Sequence, residues 1–166
     1  MTDRDQGFHV ATMERGWLTG IAITGPFEIA EMRTLDAWES LVSHEPSLPD
    51  ALNRQEWLSA CHIRETELTC YVGMTSDAPV GDLPDDLTSI QIPRHEYLVA
   101  HHHGTRDELG NLYAAMFAWL QRHDREVNRE ILWIERFGAP FQRDADLDME
   151  IWLPLRQQSS GNGLRS

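Results

Sequence analysis

Strand-like and helix-like periodicities follow one another in the same order twice along this chain. Trp17, Thr19, Ile21 and Ile23 share one face of an alternating segment, which predicts a strand over 17–23. Thr24-Gly25-Pro26 closes it with a turn signal. Leu35, Trp38, Leu41 and Val42 recur at helical spacing and predict a helix over about 29–42. Two strands are expected at about 56–63 and 67–74, and the short Arg64-Glu65-Thr66 link between them suits a hairpin. The second half repeats the order. A strand at 97–103 ends at Gly104, and a helix over about 106–123 carries a stripe from Leu109 through Tyr113 and Met116 to Leu120. Two final strands are expected at about 130–137 and 147–153.

A β-α-β-β order met twice, over about 17–74 and 97–155, favours an α+β fold. Duplicated units of this kind form a mainly antiparallel sheet with helices on one face. The repeat is one of pattern, since the halves share little residue identity. Side by side, the units leave a central cleft, and ligand sites tend to occur at such junctions. The stretches 43–54, with Pro46 and Pro49, and 75–89, with Pro79, Gly81 and Pro84, read as loops. One domain is expected over 1–155, followed by a flexible tail over 156–166 rich in Gln, Ser and Gly.

A chain of 166 residues can bury a core without a staple. Two cysteines, Cys61 and Cys70, are too few for a disulfide framework. A hairpin would let them pair; two buried thiols are the plainer expectation. Residues 1–5 are polar and acidic, unlike a secretory signal, and no apolar run could span a bilayer, so a cytoplasmic protein without membrane contact is expected. The net charge of −13, with arginine as the basic residue throughout and no lysine, argues against direct nucleic-acid binding through a basic patch. It would steer cations in preference to anions.

Glu135 is the candidate for chemistry. Within Ile131-Leu132-Trp133-Ile134-Glu135-Arg136-Phe137, period-two geometry turns Trp133, Glu135 and Phe137 to one face. A carboxylate between two rings is costly to bury unless something pairs with it. A cationic ligand would supply that pairing, and ring faces attract cations too. Desolvation would also raise the carboxyl pKa and suit it to acid–base work. The plain alternative is a half-exposed strand face with a solvated Glu135. The six tryptophans are spread over both halves. Trp38 and Trp119 fall in helix stripes and read as partly structural. Trp17 and Trp57 begin strands and read as rim residues.

Other templates fit poorly. His101 and His103 share a strand face, but two ligands fall short of the four a structural zinc wants. A strand-end histidine bonding to a neighbour is the better reading. Asp144, Asp146 and Asp148 lack the glycine and glutamate of a calcium loop. Neither a phosphate-cradling glycine loop nor a nucleophile elbow is present. No metal and no cofactor are expected.

These residues, in this order, resemble the GyrI-like, or AraC-type effector-binding, domain family over about 15–155. The likeness rests on Thr24-Gly25-Pro26, Trp38, Ile92-Pro93 with Tyr97, His102 and Gly104, and Tyr113, Phe117, Trp119 and Leu120. It also rests on Glu135 two residues before Phe137, where Tyr is usual, and on Glu150-Ile151-Trp152-Leu153-Pro154-Leu155. The resemblance implies a duplicated β-α-β-β fold with a central cleft, a fold class shared with haem-binding SOUL proteins. It implies that Glu135 contacts hydrophobic, cationic ligands among aromatic rings; by residue type, Trp17, Trp38, Tyr71, Tyr97, Trp133 and Phe137 are the candidate ring wall. Some members resemble hydrolases that open cyclopropane-bearing DNA alkylators with the same glutamate, where Tyr97, Tyr71 or Trp38 would assist. Others inhibit DNA gyrase, which makes gyrase a candidate protein partner. About 15 residues precede the first expected strand, so no helix-turn-helix is expected ahead of it. The expected function is a small-molecule binder that senses or sequesters its ligand.

Overall fold

A computed structural model describes residues 7–139 and 146–158, apart from the side chain of Glu31. The polar, acidic residues 1–5, Asp144, and the expected tail from 159 onward fall outside the described residues. Eight strands and two helices are present among the described residues: β1 (His9–Met13), β2 (Gly16–Pro26), α1 (Phe27–His44), β3 (Asn53–Ile63), β4 (Glu67–Ser76), β5 (Thr88–Ile92), β6 (His95–Gly104), α2 (Leu109–Arg122), β7 (Trp133–Phe137) and β8 (Leu147–Pro154). Among the described residues no helix is long and apolar enough to cross a membrane.

The strands form one antiparallel sheet in the order β1-β6-β8-β7-β3-β4-β2-β5. This order is its own mirror under a half-turn that exchanges β1 with β5, β2 with β6, β3 with β7 and β4 with β8. The repeat is therefore β-β-α-β-β, one strand longer than the sequence suggests, and the two halves meet at the β3–β7 pairing. Each half lends its first strand to the other: β1 pairs with β6, and β5 with β2. These strands span five residues each and are half exposed, so their alternation is too short to stand out locally. Pairing with a distant segment forms them.

Local signals explain the helices. α1 follows Pro26 directly, and Glu28 in its first turn complements the positive helix end. A capping box prepares α2, because Thr105 and Glu108 satisfy each other's end groups across the 3-10 turn Arg106–Glu108. Both helices pack on one face, where Trp38, Leu41, Met116 and Leu120 meet Val72, Met74, Ile151 and Leu153. The opposite face carries a second apolar cluster with Leu18, Leu58, Tyr97, Ile134 and Trp152. Met13 of β1 and Ile92 of β5 both join it, so the sheet curls into a half-barrel that draws its two edges towards each other. Gly20 and Gly73 face each other across β2 and β4. A Cβ on Gly20 would strike the Val72 carbonyl, and one on Gly73 the Thr19 carbonyl. Two glycines at this register permit that close approach.

The expectation of two buried thiols is corrected. Cys61 and Cys70 stand opposite each other in the β3–β4 hairpin and form a disulfide. The hairpin link at 64–66 is as expected, with Arg64 N–H bonding to the Glu67 carbonyl at 2.9 Å. Trp57 is corrected as well: it is 3% exposed in the core, not at a rim, and its indole donates to the Arg54 carbonyl at 2.7 Å. Of the expected tail, Arg156 is held by a backbone bond to the Glu126 carbonyl and by an ion pair with the Glu126 carboxylate.

Candidate functional site

Glu135 lies at the centre of the sheet, on β7 beside the seam between the two halves. It stands opposite Ser59 of β3 on one side and Ile151 of β8 on the other. Alternation along β7 turns Trp133, Glu135 and Phe137 towards the helices and Ile134 towards the second cluster. Above Glu135 lies a cavity of about 350 Å³, roofed by α1 through Ala30, Thr34 and Trp38. Arg106 of the 3-10 turn and Leu109 at the start of α2 close it, and the sheet floors it with Ser59, Phe137 and the Cys61–Cys70 bridge. That volume is within the roughly 300–1,000 Å³ of small-molecule sites. A larger hollow of about 650 Å³ lies around Asp124, Arg125 and Gln158, but among the described residues no ring lines it.

The polar centre is a pair. The Tyr113 hydroxyl donates to Glu135 Oε2 at 2.6 Å. Burial is the main cause that raises the Glu135 pKa above the ordinary carboxyl range, while the Tyr113 bond and the Arg106 charge pull it back. Burial also pushes the Tyr113 phenol well up, and the Glu135 charge adds to it. Tyr113 is therefore a firm donor, and Glu135 is a carboxyl poised to gain or lose a proton. Ring contacts hold the wall in place: Trp38 meets Phe137 edge-on at 5.6 Å and Trp57 at 6.1 Å.

Of the residues expected at the site, Glu135, Trp38 and Phe137 line this one cavity. Trp133 shares their strand face but packs against Phe117 at 5.9 Å. Tyr71 and Tyr97 point the other way, into the second cluster, where Tyr97 donates to the Leu132 carbonyl at 3.1 Å. Trp17 borders a separate hollow of about 390 Å³ with Arg15, Arg136 and Trp152. His101 bonds to Asp148, and His102 bonds to the Thr105 carbonyl at 2.8 Å. No group of three metal-capable side chains occurs among the described residues. Tyr113 and Arg106 were not expected at the site. A readable signal existed for Tyr113, since a phenol in the buried stripe of a helix needs a partner.

A family model for the GyrI-like small molecule binding domain matches residues 23–156. The chain belongs to the GyrI-like family. No curated protein matches it. Among solved structures, SAV2435 bound to tetraphenylphosphonium is similar at 13% identity with a TM-score of 0.70, over 95% of this chain and 97% of that one. EcmrR in a DNA complex is similar at 15% identity with a TM-score of 0.67, over 91% of this chain and 57% of that one. An integron cassette protein of Vibrio cholerae is similar at 14% identity with a TM-score of 0.64, over 91% of this chain and 97% of that one. At these identities the likeness is one of fold, and it agrees with the GyrI-like match and the curled eight-stranded sheet.

Proposed function

We propose that this GyrI-like protein binds a lipophilic, cationic aromatic compound in the Glu135 cavity and so senses or sequesters it. One observation carries the reading: a carboxyl that burial holds against ionisation, in spite of the Arg106 charge at the same cavity, faces a ring-lined space while Tyr113 steadies it. A charged carboxylate there is costly without a partner, and a delocalised cation supplies one with little desolvation cost of its own. Trp38 and Phe137 add ring surface for the same charge. The tetraphenylphosphonium bound to SAV2435 is a compound of that class.

The test compares tetraphenylphosphonium with tetraphenylborate, which has the same shape and the opposite charge. The cation should raise the melting temperature with concentration and the anion should not. Equal shifts by both would remove Glu135 as counter-charge. No shift by any of a panel of lipophilic cations would remove the binding reading.

The Tyr113–Glu135 pair favours a second reading, hydrolysis of a strained electrophile. Glu135 takes a proton from water, the water oxygen bonds a ring carbon of a cyclopropane-bearing alkylator, and the opened ring takes up the proton. Incubation with such an alkylator and mass spectrometry decides it: a product heavier by one water above background supports catalysis, and its absence removes it. The gyrase-directed alternative has net charge and family membership behind it, and the cavity has no part in it.

A further inference from the structure

The Cys61–Cys70 bridge is part of the wall of the cavity that holds Glu135. Cys61 stands opposite Trp133 in the register where Ser59 stands opposite Glu135. It is therefore the diagonal neighbour of Glu135, and such neighbours lie roughly 7–8 Å apart. The bridge joins residues that the hairpin already pairs, with a separation of 9 along the chain. A short closed loop gains the least from cross-linking. Cys61 is half-buried and Cys70 is buried, and both line the cavity, which gives a small reagent a path to the sulfurs. Disulfides in reducing compartments are usually transient and redox-sensing, whereas structural ones belong to oxidising compartments.

We propose that the Cys61–Cys70 bridge is a thiol–disulfide exchange site whose redox state and the occupancy of the cavity control each other. The coupling rests on the binding reading above; the exchange site does not. A small dithiol is the reductant. Its thiolate enters the cavity and bonds the Cys61 sulfur, the bridge breaks, and Cys70 leaves as a thiolate. The second thiol of the reductant then displaces Cys61 and closes the reductant's own disulfide. Two electrons and two protons end on the protein as two thiols. Once unbonded, the sulfurs move apart to ordinary contact, and the wall beside Leu68 and Ala30 changes shape. A ligand fitted to the oxidised cavity then binds less tightly. Reciprocity requires that the same ligand shift the thiol–disulfide equilibrium towards the bridge by the same factor, and a filled cavity also blocks the reductant's path and so slows the exchange.

Dithiothreitol treatment of the native, oxidised protein tests this, with new thiols counted by alkylation and mass spectrometry and the fold followed by circular dichroism. The bridge should be reduced in the folded protein. With tetraphenylphosphonium a hundredfold above its Kd, about 1% of cavities are empty, so reduction should slow by up to about 100-fold. Thr34→Phe fills the cavity without any ligand and should slow reduction several-fold, while Met32→Ala on the exposed side of α1 leaves the rate as it was. Leu68→Phe fills the same space from the sheet and serves if Thr34→Phe does not fold. A ligand that binds by calorimetry without slowing reduction overturns the coupling. Absence of tetraphenylphosphonium binding overturns the binding reading and the coupling together, and the filling variants alone then decide the exchange site. Reduction that waits for unfolding, or that ignores both filling variants, overturns the exchange site.

Discussion

Tyr113 of α2 and Glu135 of β7 share one hydrogen bond of 2.6 Å, and through it each sets the ionisation of the other. Burial drives both pKa values up. The bond then stabilises the carboxylate and holds the phenol as a donor. It also ties the second helix to the middle of the sheet, at the seam where the two halves meet.

Tyr113→Phe removes the donor and keeps the ring. The carboxyl loses a hydrogen bond to its charged form, so its pKa rises further. A lost bond to a buried charged group costs about 1.5–3 kcal/mol. Denaturant unfolding at a pH above the carboxyl's titration should show a loss in that range, and the pH midpoint for binding a lipophilic cation should move upward.

Glu135→Gln should stabilise the unliganded protein at alkaline pH. A carboxyl whose pKa is raised by folding contributes stability below its unfolded pKa and loses it as pH rises through the folded value. Glutamine does not titrate. Urea unfolding of both proteins should show the variant gaining on the wild type as pH climbs from the ordinary carboxyl range through the raised folded value, at about 1.4 kcal/mol per unit by which the pKa is raised.

Replacing both cysteines by alanine should cost little. Loop closure over so short a separation gives at most about 3 kcal/mol. A double variant that folds with a modest drop in denaturation midpoint fits. Failure to fold would make the bridge a structural necessity instead.

Gly20→Ala should cost much more than an ordinary surface change, because its new methyl meets the Val72 backbone and no flexible side chain can give way. A loss above about 3 kcal/mol, or an insoluble product, is expected. Gly73→Ala should behave alike, as its Cβ meets the Thr19 backbone.

The long periodic segments were legible. Leu35, Trp38 and Leu41 announced α1, and the alternation of 17–23 lies wholly within β2. β1 and β5 were not, because five half-exposed residues carry too little pattern and their partners lie in the other half. The strand expected from 130 begins at Trp133, since Asn128 caps a turn by accepting from the Glu130 N–H. Glu135 and Phe137 could be read as sharing a face, but which face the helices would cover could not. Tyr71 and Tyr97 are aromatic like them, but the alternation that turns Cys70 and Leu98 to the helices turns these two away. The bridge was half legible: a hairpin centred on 64–66 sets Cys61 opposite Cys70. Residue pattern alone does not say whether facing thiols are oxidised.

The most direct test is the pH dependence of tetraphenylphosphonium affinity, measured by calorimetry for the wild type and for Glu135→Gln. If Glu135 is the counter-charge, wild-type affinity climbs as the carboxyl loses its proton, at a midpoint above the ordinary carboxyl range. The variant binds weakly with no such climb. Affinities that match at every pH would contradict the account.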